Sequence, residues 1–125
     1  MKKDIIVISP TQKLTKFFDV WSPKIIAELN DSYIKLAKLK GEYIWHKHDN
    51  EDEMFLVIKG NLKIELRDKV LLLKTGEMVV IPKGVEHRPV AEFEAHVMLI
   101  ESKSTISTGD AENTADKKST QGKWI

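Results

Sequence analysis

The feature that most constrains the fold is the regular interruption of short apolar runs by turn-forming residues. From residue 33 to residue 101, runs of β-branched and other apolar residues are separated by Gly, Asp, Asn or Pro, with turn signals about every 8–12 residues. This spacing is typical of an antiparallel sandwich or barrel rather than of strands that alternate with helices. We therefore predict an all-β domain over residues 33–101, between an N-terminal segment (1–32) and a polar C-terminal tail (102–125).

The predicted strands differ in how their side chains alternate. Leu62, Ile64 and Leu66 alternate with polar residues, which predicts one buried and one solvated face. The strand beginning at Glu53 has apolar residues at both odd and even positions, so apolar side chains point to both of its faces. Both faces therefore need a cover, which could be the N-terminal segment or a second subunit. The predicted ranges are 34–40, 43–48, 53–59, 62–67, 70–73, 78–81, 87–90 and 96–101.

The segments that flank the predicted barrel have different signals. Ser22 and Pro23 predict one short helix over residues 22–29, with Ser22 as N-cap and Pro23 at the first helical position. The tail is rich in Ser, Thr, Lys, Asp and Gly, so we expect it to be mobile. Docking of its last two residues, Trp124 and Ile125, is the alternative.

Composition excludes several classes of protein. The 125 residues contain no cysteine and carry a net charge of +1, so any metal must be held by nitrogen and oxygen. The near-neutral charge disfavours nucleic acid, and no apolar run approaches the roughly 20 residues that span a bilayer. Only residues 5–8 form an apolar run near the start, whereas a secretory signal needs about 7–15 such residues. We expect a cytoplasmic protein with a small-molecule ligand.

Three of the four histidines have a spacing that suits a metal site. His46 and His48 are separated by one residue, so on a strand their imidazoles point to the same face. The polar residues 49–52 predict a turn that lets Glu53 return to them. His87 follows a second turn, and a barrel can bring it to the same place. The alternative is that these are ordinary surface or hydrogen-bonded core histidines.

The stretches around these residues resemble the two motifs of the cupin family. The chain departs from the usual pattern at two positions: Gly41 is one residue closer to the first histidine, and Ala91 stands where asparagine is common. Neither departure affects a ligand position, and the chain resembles a small single-domain cupin. The first motif is read as Gly41, His46-x-His48, Glu53 and Gly60, and the second as Gly76, Pro82-x-Gly84 and His87.

The resemblance implies a double-stranded β-helix, or jelly-roll barrel, with a ligand cavity between its sheets. It also implies that His46, His48, Glu53 and His87 bind one divalent metal ion. Three imidazoles and one carboxylate suit Fe, Mn, Ni, Co, Cu or Zn better than Ca or Mg.

Strand parity also predicts which other side chains face the metal. Ile44, Phe55 and Val57 should make the cavity wall mainly apolar, whereas Tyr43 and Trp45 should face outward. For His96, which lies outside both motifs, we expect an ordinary structural role.

The fold does not choose the activity, since one fold hosts many chemistries. The leading interpretation is a small metal-dependent enzyme, such as a dioxygenase that acts on a small organic ligand. One alternative is a sugar or sugar-phosphate isomerase, and another is a non-catalytic module that binds or senses a small ligand. The apolar residues on both faces of the strand at 53–59 further predict a homodimer.

Overall fold

Strands make up most of the regular structure in the computed structural model, which describes residues 4–113, 117 and 119–125. The all-β class and a single short N-terminal helix are confirmed for these residues. No helix in this described part is long and apolar enough to cross a membrane. The elements are α1 (Pro10–Leu14), β1 (Lys24–Leu29), β2 (Ser32–Glu42), β3 (Glu53–Lys59), β4 (Leu62–Leu66), β5 (Val70–Leu73), β6 (Met78–Ile81), β7 (His87–Ser102) and β8 (Lys123–Trp124).

The longest strand, β7, organises the barrel because it pairs with three others. Its first residues, 87–90, pair antiparallel with β4, and its last residues pair with β2 on one side and β3 on the other. β5 and β6 extend the sheet beyond β4 and β3, while β1 and the two-residue β8 extend it beyond β2. The predicted jelly-roll barrel is confirmed.

Two apolar clusters stabilise this arrangement. The larger fills the barrel interior, with Phe55, Val57 and Val97 at its centre. The smaller lies outside the sheet, where Leu14 of α1 packs with residues of β1 and β2, and Ile58 of β3 lies at its margin. The N-terminal segment therefore supplies part of the cover that the apolar outer face of β3 needs.

The helix predicted over residues 22–29 is wrong. Lys24–Leu29 is β1, which pairs antiparallel with β2. The helix begins instead at Pro10, where the Ser9 side chain accepts a hydrogen bond from the helix backbone at 3.2 Å. The two Ser-Pro pairs give the same local signal. At the second pair, the β-branched Ile25 and Ile26 and a neighbouring strand favour extended structure.

The predicted strand at 43–48 is also wrong, because this segment contains only an isolated bridge between His46 and His87. The strand predicted at 34–40 continues through Gly41, whose φ of +80° accompanies a shift in register against β7. The strands predicted at 87–90 and 96–101 are two parts of β7. The ranges at 53–59, 70–73 and 78–81 match β3, β5 and β6, and the range at 62–67 is one residue longer than β4.

The described part of the C-terminal tail packs on the barrel, so the expectation of a mobile tail is wrong there. Thr105 and Thr108 are completely buried, Trp124 lies in β8, and Ile125 joins the outer cluster. Hydrogen bonds attach this polar segment to the barrel, because the apolar area that it buries is too small to do so alone. Four tail residues, 114–116 and 118, lie outside the described part of the chain.

Candidate metal centre

The barrel brings together the four residues singled out in the sequence. One ligand atom from each of His46, His48, Glu53 and His87 lies within 4.8 Å of the others, and all four side chains are buried. The first two lie between β2 and β3, Glu53 begins β3, and His87 begins β7. The cluster is therefore assembled from three separate parts of the chain.

Backbone hydrogen bonds fix the segment that carries the two neighbouring histidines. His46 and His87 exchange two hydrogen bonds, at 3.1 and 2.9 Å, and Gly84 N–H donates to the His48 carbonyl at 2.8 Å. These contacts keep the segment extended, and the centroids of the His46 and His48 rings are 5.0 Å apart. Strand parity thus predicted the correct side for both histidines, although the segment is not a regular strand.

Two of the histidines are held in a defined tautomer. His46 Nδ1 lies 2.9 Å from the Ile44 carbonyl oxygen, and His87 Nδ1 lies 2.9 Å from the Val85 carbonyl oxygen. A carbonyl oxygen can only accept, so each Nδ1 carries the proton and each Nε2 keeps its lone pair. Metal-binding histidines commonly have this arrangement, in which the second ring nitrogen donates to a backbone carbonyl.

His48 provides the clearest indication that the cluster fits a metal ion. Both of its ring nitrogens are buried, and neither makes a hydrogen bond within the described part of the chain. Its Nε2 is 3.5 Å from Glu53 Oε1, which is also 3.3 Å from His87 Nε2. A buried polar atom without a partner is costly. Three imidazole nitrogens and a carboxylate oxygen could hold a divalent ion, which would supply the partner that His48 Nε2 lacks.

The electrostatics of the cluster favour the protonation states that metal ligands require. Burial, reinforced by the neighbouring His87, lowers the pKa of His46 to about 4. Burial also acts to lower the pKa of His48, but the Glu53 carboxylate outweighs it and the pKa is raised. Burial acts to raise the pKa of Glu53, yet the adjacent imidazoles of His48 and His87 hold it well below its usual range. His46 is therefore neutral and Glu53 ionised near neutral pH.

A second buried carboxylate, Glu101, lies behind the cluster, and sequence reasoning missed it. Glu101 pairs with Glu53 across β3 and β7, and its Oε1 accepts from Lys35 Nζ at 2.9 Å. Burial and the nearby Glu53 charge raise the pKa of Glu101. The sequence did contain a signal for its burial. Glu101 follows the apolar Val97 and Leu99 at two-residue intervals, so all three side chains point to the same face of the strand.

A narrow cavity of about 40 Å³ lies beside the cluster, with His46 and Glu53 in its wall. Tyr43 also lines it, so the prediction that Tyr43 faces outward is wrong. The reason is that residues 43–48 do not alternate as a strand, and the Tyr43 ring stacks on Trp21 with centroids 4.6 Å apart. Burial raises the pKa of Tyr43. Other lining residues are Pro23, Ala37, Leu39, Phe55, Pro89, Val97, Leu99, Glu101 and Ser107.

The structure agrees with only some of the remaining predictions about which side chains line the cavity. Phe55 lines the cavity, whereas Val57 is in the barrel core and Ile44 is outside the cavity wall. Trp45 lies under Arg67, whose guanidinium carbon is 3.8 Å from the ring centroid, on the outside of the barrel. His96 pairs with Glu94 at 2.8 Å, outside the cluster.

Comparison with known proteins agrees with this architecture. The chain matches the Cupin domain family over residues 34–102. It is similar to the crystal structure of a cupin-2 domain containing protein from Shewanella frigidimarina NCIMB 400, with 49% identity, a TM-score of 0.76, and coverage of 77% of this chain and 94% of that chain. A solved protein from Neisseria meningitidis is 32% identical, with a TM-score of 0.72 and coverage of 78% and 99%.

A curated relative, the uncharacterized protein YdbB of Bacillus subtilis (strain 168), is 45% identical over 64 residues. The matched region is 50% of this chain and 57% of that protein, so the likeness covers little more than half of the relative's length. The family match covers more than half of the present chain and includes all four clustered residues. Together with the barrel and the two motifs, it shows that the chain belongs to the cupin domain family.

Proposed function

We propose that this cupin binds one divalent metal ion through His46, His48, Glu53 and His87 and acts as a small metal-dependent enzyme. The observation that carries the proposal is the buried His48 Nε2, which makes no hydrogen bond within the described residues and lies inside a cluster of four potential ligands. The preferred ions are those that accept both imidazole and carboxylate, namely Fe, Mn, Ni, Co, Cu or Zn.

The leading reaction class is a dioxygenase that acts on a small organic ligand. A bound ion of this kind supplies Lewis acidity and, where it is redox-active, electron transfer. The protein's own contribution is to hold four ligand side chains in fixed positions and to place a mainly apolar cavity beside them. Phe55 and Leu39 in this wall exclude water from the reacting groups. The cavity has room for about three water-sized groups, which restricts the substrate to a small molecule.

The same cavity counts against the second enzyme class, a sugar or sugar-phosphate isomerase. Among the described residues, no lysine or arginine lines it, whereas a phosphate group needs cationic or amide donors. Glu101 is the one additional carboxyl group in the wall, and the Lys35 ammonium group holds it. A non-catalytic module that binds a small ligand at the metal is the remaining alternative.

Metal analysis followed by oxygen uptake tests the proposal. Protein purified without a metal-affinity tag should contain about one divalent ion per chain, and His48→Ala should lose most of it. His96→Ala is the matched control and should retain the metal, because His96 pairs with Glu94 outside the cluster. Undiminished metal in His48→Ala would contradict the assigned site.

The reaction class is tested with iron-loaded protein mixed anaerobically with enols, catechols, diketones and thiols before oxygen is added. Stoichiometric oxygen uptake with one of these groups is expected. If the protein binds metal but consumes no oxygen with any of them, the dioxygenase proposal fails and the binding module becomes the better interpretation.

We also propose that the chain forms a homodimer. On the outer face of β3 and β6, Met54 lies opposite Val80 and Leu56 opposite Met78. Met78 and Val80 are 57% and 50% exposed, so the N-terminal segment leaves this part of the outer face uncovered. A contiguous apolar surface on two paired strands supports an interface between subunits. The cytoplasmic location stays a prediction from the sequence.

A further inference from the structure

The C-terminal segment, residues 105–111, reaches the cavity although it lies outside the family match. The match ends at residue 102, yet Ser107 lines the same cavity as His46 and Glu53. Thr105 and Thr108 on either side of Ser107 are completely buried. The position of the segment is therefore determined by packing on the barrel.

This segment is attached to the stretch that carries two of the clustered histidines. Asp110 Oδ1 accepts from Lys47 N–H at 2.8 Å, and Asp110 N–H donates to the Lys47 carbonyl at 3.0 Å. Gly109 lies so close that a Cβ atom there would overlap the Lys47 carbonyl oxygen and meet the His46 ring. Lys47 separates His46 from His48, so the segment forms a direct boundary of the cluster.

The polar groups on this side of the cavity come from Tyr43 and Ser107. The Tyr43 side chain is only 8% exposed, and its hydroxyl makes no hydrogen bond of standard geometry in the part of the chain that is described. Ser107 exchanges two hydrogen bonds with the Thr120 backbone, one of them from Thr120 N–H to Ser107 Oγ at 3.2 Å. A buried tyrosine hydroxyl normally has a partner, so a donor in this wall is available to a ligand.

We propose that the C-terminal segment completes the ligand site, closing the cavity over a small ligand with a short apolar body whose oxygen atom accepts a hydrogen bond from Tyr43. The inference rests on the proposed function, because the ligand would also contact the metal. It adds the ligand class and the residues that determine its size. Ser107, which lines the same cavity and whose side chain acts on the pKa of Tyr43, positions the Tyr43 hydroxyl.

The size limit is tested with Co(II)-loaded protein and two chelating probes, acetohydroxamate and benzohydroxamate, followed by the visible absorption of Co(II). The unaltered protein should bind acetohydroxamate at least about tenfold more tightly than benzohydroxamate, because the phenyl ring of benzohydroxamate needs space that the C-terminal segment occupies. Gly109→Ala must displace the segment from Lys47, so the preference should fall to about twofold or less. The matched control is Gly76→Ala. Gly76 also has a positive φ, +86° against +54° for Gly109, but open space around the added carbon, so this variant should keep the original preference.

The hydrogen bond is tested with a conservative pair of variants. Tyr43→Phe should raise the dissociation constant of acetohydroxamate about fivefold, the effect of one lost hydrogen bond. Tyr33→Phe, in which the other tyrosine of the chain is changed, should leave it unaltered because Tyr33 lies outside the cavity wall, beside Trp124. The Co(II) content of each variant, measured in the same samples, shows whether the metal site is intact.

The outcomes separate this inference from the proposed function. If Co(II) binds all the variants but neither the size preference nor the acetohydroxamate affinity changes, the inference is overturned and the metal site stands. If Co(II) does not bind the unaltered protein, both proposals are overturned. If Gly109→Ala does not fold, Asp110→Ala takes its place, because it removes the hydrogen bond from Lys47 N–H to Asp110 Oδ1. This variant must then lose the preference for acetohydroxamate over benzohydroxamate, or the inference is overturned.

Discussion

At the scale of single residues, His46 has a consequence for stability because its pKa is so far below the ordinary value. In the folded, metal-free protein this pKa is about 4, against 6.5 for an unperturbed histidine. Between these two values the unfolded chain binds a proton that the folded chain does not. The stabilising contribution is therefore complete above pH 6.5 and is lost as the pH falls towards 4.

We expect the metal-free protein to lose about 3 kcal/mol of unfolding free energy from this group over that interval. The raised pKa of His48 acts in a different window, because its contribution is present below pH 6.5 and is lost as the pH rises through the folded value. Urea denaturation at a series of pH values measures the slope of the unfolding free energy against pH. His46→Gln should flatten it between pH 4 and 6.5, and an unchanged slope would show that His46 is not the group responsible.

The buried pair of Lys35 and Glu101 gives a second prediction at this scale. Lys35→Met leaves the Glu101 carboxyl group buried beside Glu53 without its hydrogen-bond donor. Because the raised pKa of Glu101 lets this group take up a proton instead of staying charged, the unfolding free energy should fall by about 1–3 kcal/mol. Lys103→Met removes an equally short pair, Lys103 Nζ to Glu28 Oε2 at 2.8 Å, but both partners are partly exposed, so the loss of unfolding free energy should be much smaller. Chemical denaturation compares the two variants, and equal losses would contradict the structural role of Lys35.

The identity of the clustered residues was predictable because their signal is local. His46, His48 and Glu53 lie within eight positions of one another, and His87 lies in a second compact motif. Tyr43 was placed on the wrong side because parity was applied to a segment that is not a strand. Ser107 carries no local signal, since its position depends on its own contact with Thr120 and on the contact of Asp110 with Lys47, which only the folded chain creates.

At the scale of elements, α1 matters more than its five residues suggest. It covers the outer face of β1 and β2, where Leu14 is 6% exposed and packs with Ile26 and Leu36. Leu14→Ala should lower the unfolding free energy by about 2 kcal/mol, at the low end for a buried leucine because this cluster lies at the periphery. Leu72→Ala on β5 is the control, since its side chain is 70% exposed and the expected change is about 0.5 kcal/mol or less.

Thermal or urea unfolding measures both leucine variants. Equal destabilisation would mean that α1 does not stabilise the sheet. The location of α1 was not predictable from propensity alone, because Ser9-Pro10 and Ser22-Pro23 are equivalent signals. Pairing with β2 decides that the second pair precedes a strand. The strands β3, β5 and β6 were predictable because their ends coincide with turns and their interiors are apolar.

At the scale of the whole molecule, the proposed homodimer depends on the outer face of β3 and β6. If it is the dimer interface, Val80→Glu should place a charge in it and produce a monomer. Val70→Glu is matched in residue type and exposure, 51% against 50%, but lies on β5 at another edge, and it should remain dimeric. Light scattering at high micromolar concentration makes the comparison. A monomeric unaltered protein would contradict the homodimer.

The pairing of β8 with β1 also affects the order in which the molecule can be completed during synthesis. The chain emerges from the ribosome with its N-terminal residues first, so His46, His48, Glu53 and His87 are all made before residues 105–111. Trp124, whose strand pairs with β1, is made later still. The wall that contains Ser107 is thus the last part of the cavity to be synthesised. A nascent chain that already contains the four clustered histidine and glutamate residues still lacks the segment that packs against His46 and Lys47.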